Sequence, residues 1–574
     1  MIETGRAIPR LLRPAALLLL VSTMGAADGG APQPRFRRCP VDGVEGEVRC
    51  GVIRVPEDPA APRGRQIALR VMVLRARSAR AEPDAVFYLS GGPGQAATDG
   101  AASVARELAE VRERRDVVLV DQRGTGPGGL QCPLGTRGAT ARAWVTGDFP
   151  LGRLDACRRR WGVDPRFYLT ANYVEDLERV RAALGYARTD LVGVSYGTRP
   201  ALAYLRRHPE RVRTLTLRGV YPPATPLPLN VAHDAQAVLD RLAAAHPTLP
   251  GDVARALARA DSAPARLPLE AGDGDADTLV VTRAVLAGSL LMALYGRAGA
   301  ERVPDAARAA AEGRPEALVS LGAGGMLPVL ETLSPGVYLS VVCSEDLVQI
   351  RPGEGAAPGT FLGDALVRNL ERACAAWPRG TPPPGYAEPV RSDVPALVVS
   401  GDADPVTPPR WGALVASTLT RGAHLVLPDV GHVPSFPPCA RRAMAELVAM
   451  GSAARLDLSC GRQAAAAPDT AAVVADSTGP PANVAGRWTM FWTTANGPRE
   501  SGWLVLGQEG ARVTAELHGQ GSIEAEGTIR GSLLVLSGRR MLVPFELRAA
   551  ARGDTLAGVL RVLAVRRAFT AVRR

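Results

Sequence analysis

Short apolar runs alternate with amphipathic stretches from about residue 50 to 220. Ile67 to Leu74, Ala85 to Leu89, Asp116-Val-Val-Leu-Val-Asp121, Asp190-Leu-Val-Gly-Val194 and Thr214-Leu-Thr-Leu217 read as strands. Val174 to Leu184 and Arg199 to Arg207 read as helices between them. Apolar strands spaced by helices predict a parallel sheet covered on both faces. The rhythm resumes at Pro395-Ala-Leu-Val-Val-Ser400 and His424-Leu-Val-Leu427.

Residues 222–390 interrupt it with Ala- and Leu-rich helical stretches and Pro-rich joints, the texture of a helical cap inserted into the sheet-forming chain. The sheet domain then has two parts, 28–221 and 391–461. Residues 462–484, rich in Ala, Pro, Thr and Asp, read as a linker. From 485 to 574 the texture changes to closely spaced short runs, beginning with Gly486 to Thr494 and ending with Ala564 to Ala571. About eight such strands predict a small all-β, barrel-like domain. The predicted fold is α/β, with a mostly parallel sheet, a helical cap and this C-terminal barrel.

Composition narrows the class. A chain of 574 residues, 46% hydrophobic and 22% charged, has room for about three domains and is too apolar for a disordered polypeptide. The net charge of +11 comes from arginines scattered along the chain. Nucleic-acid binding wants clustered charge and stacking aromatics, and aromatics make up only 5% here, so that partner is not expected.

At the N-terminus, Arg6, Arg10 and Arg13 precede the apolar run Ala15 to Val21, followed by Gly25, Ala26 and Ala27. This is the pattern of a signal peptide over residues 1–27, predicting a periplasmic or extracellular protein. The run is far shorter than the roughly 20 apolar residues of a membrane span, so stable membrane insertion is not expected. Eight cysteines, Cys39, Cys50, Cys132, Cys157, Cys343, Cys374, Cys439 and Cys460, fall into four sequential pairs. None forms CxxC or stands at metal-ligand spacing from a histidine, so no metal is expected. An even count in an exported chain reads as disulfides, with nearest-neighbour pairing the expected connectivity.

The strongest chemical motif is Gly193-Val194-Ser195-Tyr196-Gly197, which follows a strand and precedes a helix. That setting is what a nucleophile elbow requires, with glycines where chain segments must approach. A serine hydroxyl needs a base. Of six histidines, His432 in Asp429-Val-Gly-His432 follows the last sheet strand and is the fitting one, whereas His424 begins a strand. The imidazole in turn needs an acid. Ser400-Gly-Asp-Ala-Asp-Pro-Val-Thr-Pro408 offers Asp404, with Asp402 the alternative, as either an acid or an ordinary turn residue. Ser90-Gly91-Gly92-Pro93-Gly94 follows another strand and exposes backbone N–H groups. Gly92 and the N–H of Tyr196 are the expected oxyanion donors.

Together, Gly-Gly-Pro-Gly, Asp121-Gln-Arg-Gly-Thr-Gly126, Gly-Val-Ser-Tyr-Gly-Thr198 and Gly-Asp-Ala-Asp-Pro-Val-Thr-Pro resemble the proline iminopeptidase and tripeptidyl aminopeptidase group of α/β-hydrolases. Cys343-Ser-Glu-Asp346 and Ala373-Cys-Ala-Ala-Trp-Pro378 resemble its exported branch. The resemblance covers roughly residues 40–460 and stops short of the final domain. It implies a helical cap, a peptide substrate cut near its free N-terminus, and no metal or organic cofactor. One departure is Leu89-Ser90 before the double glycine, where many relatives carry His or Asn-Pro.

Recognition of an ammonium group calls for a buried carboxylate. Glu345 is the first candidate and Asp346 the second, although Glu345 could equally pair with an arginine. Asp121 and Arg123 are expected to shape their turn. Two other readings stay open: an esterase with the same machinery, and a non-catalytic binding protein that works through its barrel. Oligomeric state is not legible.

Overall fold

The computed structural model describes residues 36–126, 129–269, 277–351, 354–355, 357–432, 437–463, 480–494, 497–519, 521–540, 543–562 and 565–573. The expected signal peptide lies outside these residues, as does most of the expected linker. Strands β1 (Arg37–Arg38), β2 (Val48–Pro56), β3 (Gln66–Leu74), β4 (Ala85–Leu89), β5 (Asp116–Val120), β6 (Thr189–Val194) and β7 (Val212–Arg218) build the first part of the main sheet. Strands β8 (Ala265–Leu269) and β9 (Asp277–Val281) form a separate hairpin within the cap. The sheet is completed by β10 (Ala396–Gly401), β11 (Gly422–Leu427) and β12 (Arg462–Gln463). Its order is β1-β2-β3-β5-β4-β6-β7-β10-β11-β12.

From β5 through β11 all neighbours run parallel, while β1–β3 and β12 join antiparallel at the edges. Every residue of β4, β5, β6 and β10 is buried, the signature of a sheet covered on both faces. Leu177, Val180, Leu202 and Leu205 cover one face from helices Thr170–Leu184 and Thr198–Arg207. Val104, Met444 and Leu447 cover the other, from helices Ala101–Glu107 and Pro438–Met450.

The cap has its own apolar core, which includes Val231, Leu257, Leu286, Leu290 and Val303. Its layer also recruits chain from before residue 222. Helices Arg137–Thr146 and Leu151–Trp161 place Ala143 and Leu154 against Leu339, Val342 and Leu370. Periodicity says that a segment is helical but not which layer it joins, so sequence alone put these two helices in the sheet domain.

Four disulfides join Cys39–Cys50, Cys132–Cys157, Cys343–Cys374 and Cys439–Cys460, the sequential pairing. Loops of 11 to 31 residues closed in this way each stabilise by about 3 kcal/mol, mainly by restricting the unfolded chain.

The final domain is a closed antiparallel barrel of β13 (Gly486–Thr494), β14 (Gly497–Glu509), β15 (Arg512–Gly519), β16 (Gly521–Arg530), β17 (Leu533–Arg540), β18 (Val543–Arg552), β19 (Thr555–Val562) and β20 (Val565–Arg573). Closure comes from pairing of β13 with β20. Trp488, Leu504, Ile529, Leu534, Leu547 and Phe569 pack in its interior. The main sheet extends two residues into the expected linker, because Arg462 and Gln463 pair with Val426 and Leu425.

Candidate active site

Ser195 stands at the end of β6, between the strand and helix Thr198–Arg207, with φ of 53°. A non-glycine residue there is strained, and the glycines around it explain how the turn closes. A Cβ on Gly193 would lie 2.6 Å from the Gly197 carbonyl oxygen, and one on Gly197 would lie 2.1 Å from that of Leu89. Only hydrogen fits at either position.

The Oγ of Ser195 lies 3.0 Å from Nε2 of His432. The Nδ1 of His432 lies 2.9 Å from Oδ2 of Asp404. Asp404, 1% exposed, also accepts backbone N–H donors from Val406 (2.8 Å) and Thr407 (2.7 Å) and the Thr407 hydroxyl (2.7 Å). Burial acts to raise its carboxyl, but the adjacent His432 and the Thr407 donors outweigh that and hold it below the ordinary carboxylate range. An ionised carboxylate can only accept, so the His432 proton sits on Nδ1 and Nε2 is left to accept from Ser195.

Asp402 has a different task. Its Oδ1 accepts the N–H of Asp429 at 2.7 Å, where Asp429 turns through φ of 55° on the way to His432. Asp404 thus faces the imidazole, and Asp402 shapes the loop that carries it. Strand residue His424 is buried at 3.0 Å from the Ser400 hydroxyl, away from this relay.

The Ser90–Gly94 run packs directly on the elbow: a Cβ on Gly91 would lie 3.2 Å from Cβ of Ser195. Gly92 follows with φ of 112°, beside Leu333, and Tyr196 is buried immediately after Ser195. Gly94 accepts the Ser334 N–H at 2.9 Å, which ties the run to the cap.

Glu345 and Asp346 lie side by side in an enclosed polar cluster. Both are 1% exposed, and their oxygens are taken up inside the protein. Asp346 receives both arms of Arg199, at 2.7 and 3.2 Å, and the Tyr221 hydroxyl. Glu345 accepts the Thr170 N–H and hydroxyl, each at 2.7 Å, and the Tyr386 hydroxyl, with Arg199 at 3.8 Å. Burial raises its carboxyl above the ordinary value, against the pull of Arg199 and these hydrogen bonds. Both carboxylates are thus engaged by donors of the protein itself, Arg199 among them. Sequence marks an acidic pair but cannot reveal that Arg199 lies 147 residues away along the chain and in contact with it.

Thr407, Tyr295 and Thr170 escaped the sequence reading. Thr407 had a signal, standing three residues after Asp404 at Asx-turn spacing. Tyr295 and Thr170 had none, because their contacts arise only when the cap and helices dock. Asp121 and Arg123 do shape their segment: Asp121 accepts from Thr98 at 2.9 Å, and Arg123 pairs with buried Asp176 at 2.7 Å. Among the described residues no His, Cys, Asp and Glu cluster is arranged to hold a metal, and no helix is long and apolar enough to cross a membrane.

Comparison with known proteins agrees with this architecture. Residues 84–265 match the α/β hydrolase fold family, and residues 359–460 match the TAP-like protein family. The serine protease Hip1 of Mycobacterium tuberculosis is 28% identical over 455 residues, covering 68% of this chain and 83% of that protein. A tripeptidyl aminopeptidase of Streptomyces lividans is 29% identical over 215 residues, 35% of this chain and 38% of that one. A proline iminopeptidase of Xylella fastidiosa is 31% identical over 136 residues, 24% of this chain and 32% of that one. Residues 84–265 therefore belong to the α/β hydrolase fold family and residues 359–460 to the TAP-like family; the chain is an α/β-hydrolase-fold enzyme of the serine-hydrolase class, similar to tripeptidyl aminopeptidases and proline iminopeptidases.

Proposed function

We propose that the chain is an exported serine peptidase that cleaves near the free N-terminus of peptides. Ser195 attacks the scissile carbonyl, and Nε2 of His432 takes its proton and delivers it to the leaving amine. Asp404 fixes the imidazole and stabilises its charged form. The N–H groups of Gly92 and Tyr196 hold the oxyanion, and water activated by the same imidazole hydrolyses the acyl-enzyme.

The observation that carries this reading is the unbroken line from Ser195 through His432 to Asp404, at 3.0 and 2.9 Å. Similarity to a tripeptidyl aminopeptidase, a proline iminopeptidase and a serine protease supports a peptide substrate. Four disulfides support an oxidising compartment. A test pairs tripeptide anilides bearing free or acetylated N-termini with a simple ester. Turnover of the free-amine peptide at least about 100-fold above its acetylated twin is expected, the discrimination a site that reads a polar group can deliver. Equal turnover of both peptides, with faster cleavage of the ester, would favour an esterase.

A further inference from the structure

Gln122 follows β5 and is buried. Its neighbours Asp121 and Arg123 bond toward Thr98 and Asp176, while Gln122 reaches the elbow. Its Oε1 accepts the Gly94 N–H at 3.0 Å, and its Nε2 donates to the Tyr196 hydroxyl at 3.1 Å. The amide thus touches both segments proposed to supply oxyanion donors, the Gly91–Gly94 run and the residue after the nucleophile.

The direction of each bond follows from chemistry. A backbone N–H can only donate, so Oε1 must face Gly94 and the NH2 must face Tyr196. The Thr170 hydroxyl donates to Glu345 at 2.7 Å, so its oxygen is left to accept from the Tyr196 hydroxyl, also at 2.7 Å. The chain runs one way, from Gln122 through Tyr196 and Thr170 to the Glu345 carboxylate. Every member is buried, where such a network holds its parts most rigidly. The bond pattern gives Glu345 its place as the terminal acceptor.

We infer that Gln122 is a positioning residue for the oxyanion cradle, setting the Gly91–Gly94 run and Tyr196 at one spacing so that both N–H groups serve the same oxygen. The inference rests on the serine-peptidase reading above. Loss of the amide loosens one segment against the other, and a displacement of this kind falls on the transition state more than on substrate binding.

The test measures kcat and KM on a free-amine tripeptide anilide, together with inhibition by the corresponding peptide aldehyde, whose adduct oxygen occupies the cradle. Gln122→Met keeps the length and removes both bonds; Tyr196→Phe removes one hydroxyl. Gln122→Met should lower kcat about 10- to 100-fold, leave KM within about threefold, and weaken aldehyde inhibition by a factor similar to the kcat loss. The double variant should be no worse than the more damaging single one, because both changes break one chain. Should Gln122→Met fail to fold, Tyr196→Phe alone must still show the selective kcat loss. Full kcat in a folded Gln122→Met protein, a loss confined to KM, or losses that multiply in the double variant would overturn the inference. Ser195→Ala separates the two levels: if it retains activity, the peptidase reading falls as well, and if it is inactive while Gln122→Met is unimpaired, only the role of Gln122 falls.

Discussion

The backbone carbonyl of Tyr295 accepts the N–H of His432 at 2.7 Å, and its ring meets the imidazole edge-on at 5.1 Å. Tyr295 closes the cap helix Arg283–Leu294, so the cap reaches the proposed base directly. Gly431 permits the approach, since a Cβ there would lie 2.3 Å from the same carbonyl. The aromatic edge restrains the imidazole plane, and the hydroxyl takes no part in that contact. Tyr295→Phe should therefore keep kcat within about twofold, whereas Tyr295→Ala should lower it on the order of 10-fold, both read by steady-state kinetics.

Asp404→Asn tests the orienting acid. An amide has the same shape but can no longer stabilise a charged imidazole, and it can turn an NH2 toward Nδ1. The kcat should fall by about 10⁴-fold. Thermal unfolding should shift little beside that loss, because the carbonyl oxygen can still accept from Val406 and Thr407. A tenfold or smaller loss of kcat would move the acid elsewhere, with Asp402 the first alternative.

Glu345→Gln separates an enclosed carboxylate from an open receptor. The Gln amide must present donors where the Thr170 and Tyr386 hydroxyls already donate, which disturbs the bonds behind Tyr196. Free-amine peptides, acetylated peptides and esters should lose kcat by a common factor, on the order of 10-fold. A loss confined to free-amine peptides would return Glu345 to ammonium recognition.

Arg199 is fully buried between Asp346 and Glu345, with its guanidinium 3.7 Å over the Tyr221 ring. Replacing it with Met strands two carboxylates in the interior. Stability should fall by about 3–5 kcal/mol, measured by denaturant unfolding. Arg199→Lys should recover only part of this, since an ammonium cannot make the two-armed contact.

His424 supplies a pH dependence of stability. Burial pushes its imidazole down to about 4, while the unfolded chain protonates near 6.5. Between those values the unfolded state binds more protons, so stability is full above about 6.5 and declines as pH falls toward 4. The decline is on the order of 3 kcal/mol, and His424→Gln should flatten it in denaturant titrations taken across that window.

Much of this fold is legible in the sequence, because β4, β5, β6 and β10 are short, mostly apolar runs spaced by helical stretches, and all of their residues are buried in a doubly covered sheet. The elbow is legible for a similar local reason: Gly193 and Gly197 stand where no side chain fits. Asp404 and His432 could be read from their places after strands. What the sequence hides is made by docking. The cap role of helix Arg137–Thr146, the enclosure of Glu345 by Thr170 and Tyr386, and the reach of Tyr295 to His432 all join segments far apart in the chain. No local pattern encodes such meetings, and an acidic pair reads the same whether open or sealed.

Covalent labelling asks most directly whether the hydroxyl at the elbow is reactive. Intact-mass and peptide mapping of the folded protein after treatment with a fluorophosphonate should find one adduct per chain, on Ser195, absent in Ser195→Ala and greatly slowed in His432→Ala. A folded wild-type protein that stays unlabelled, or carries its adduct on another residue while hydrolysing peptides, would contradict the account.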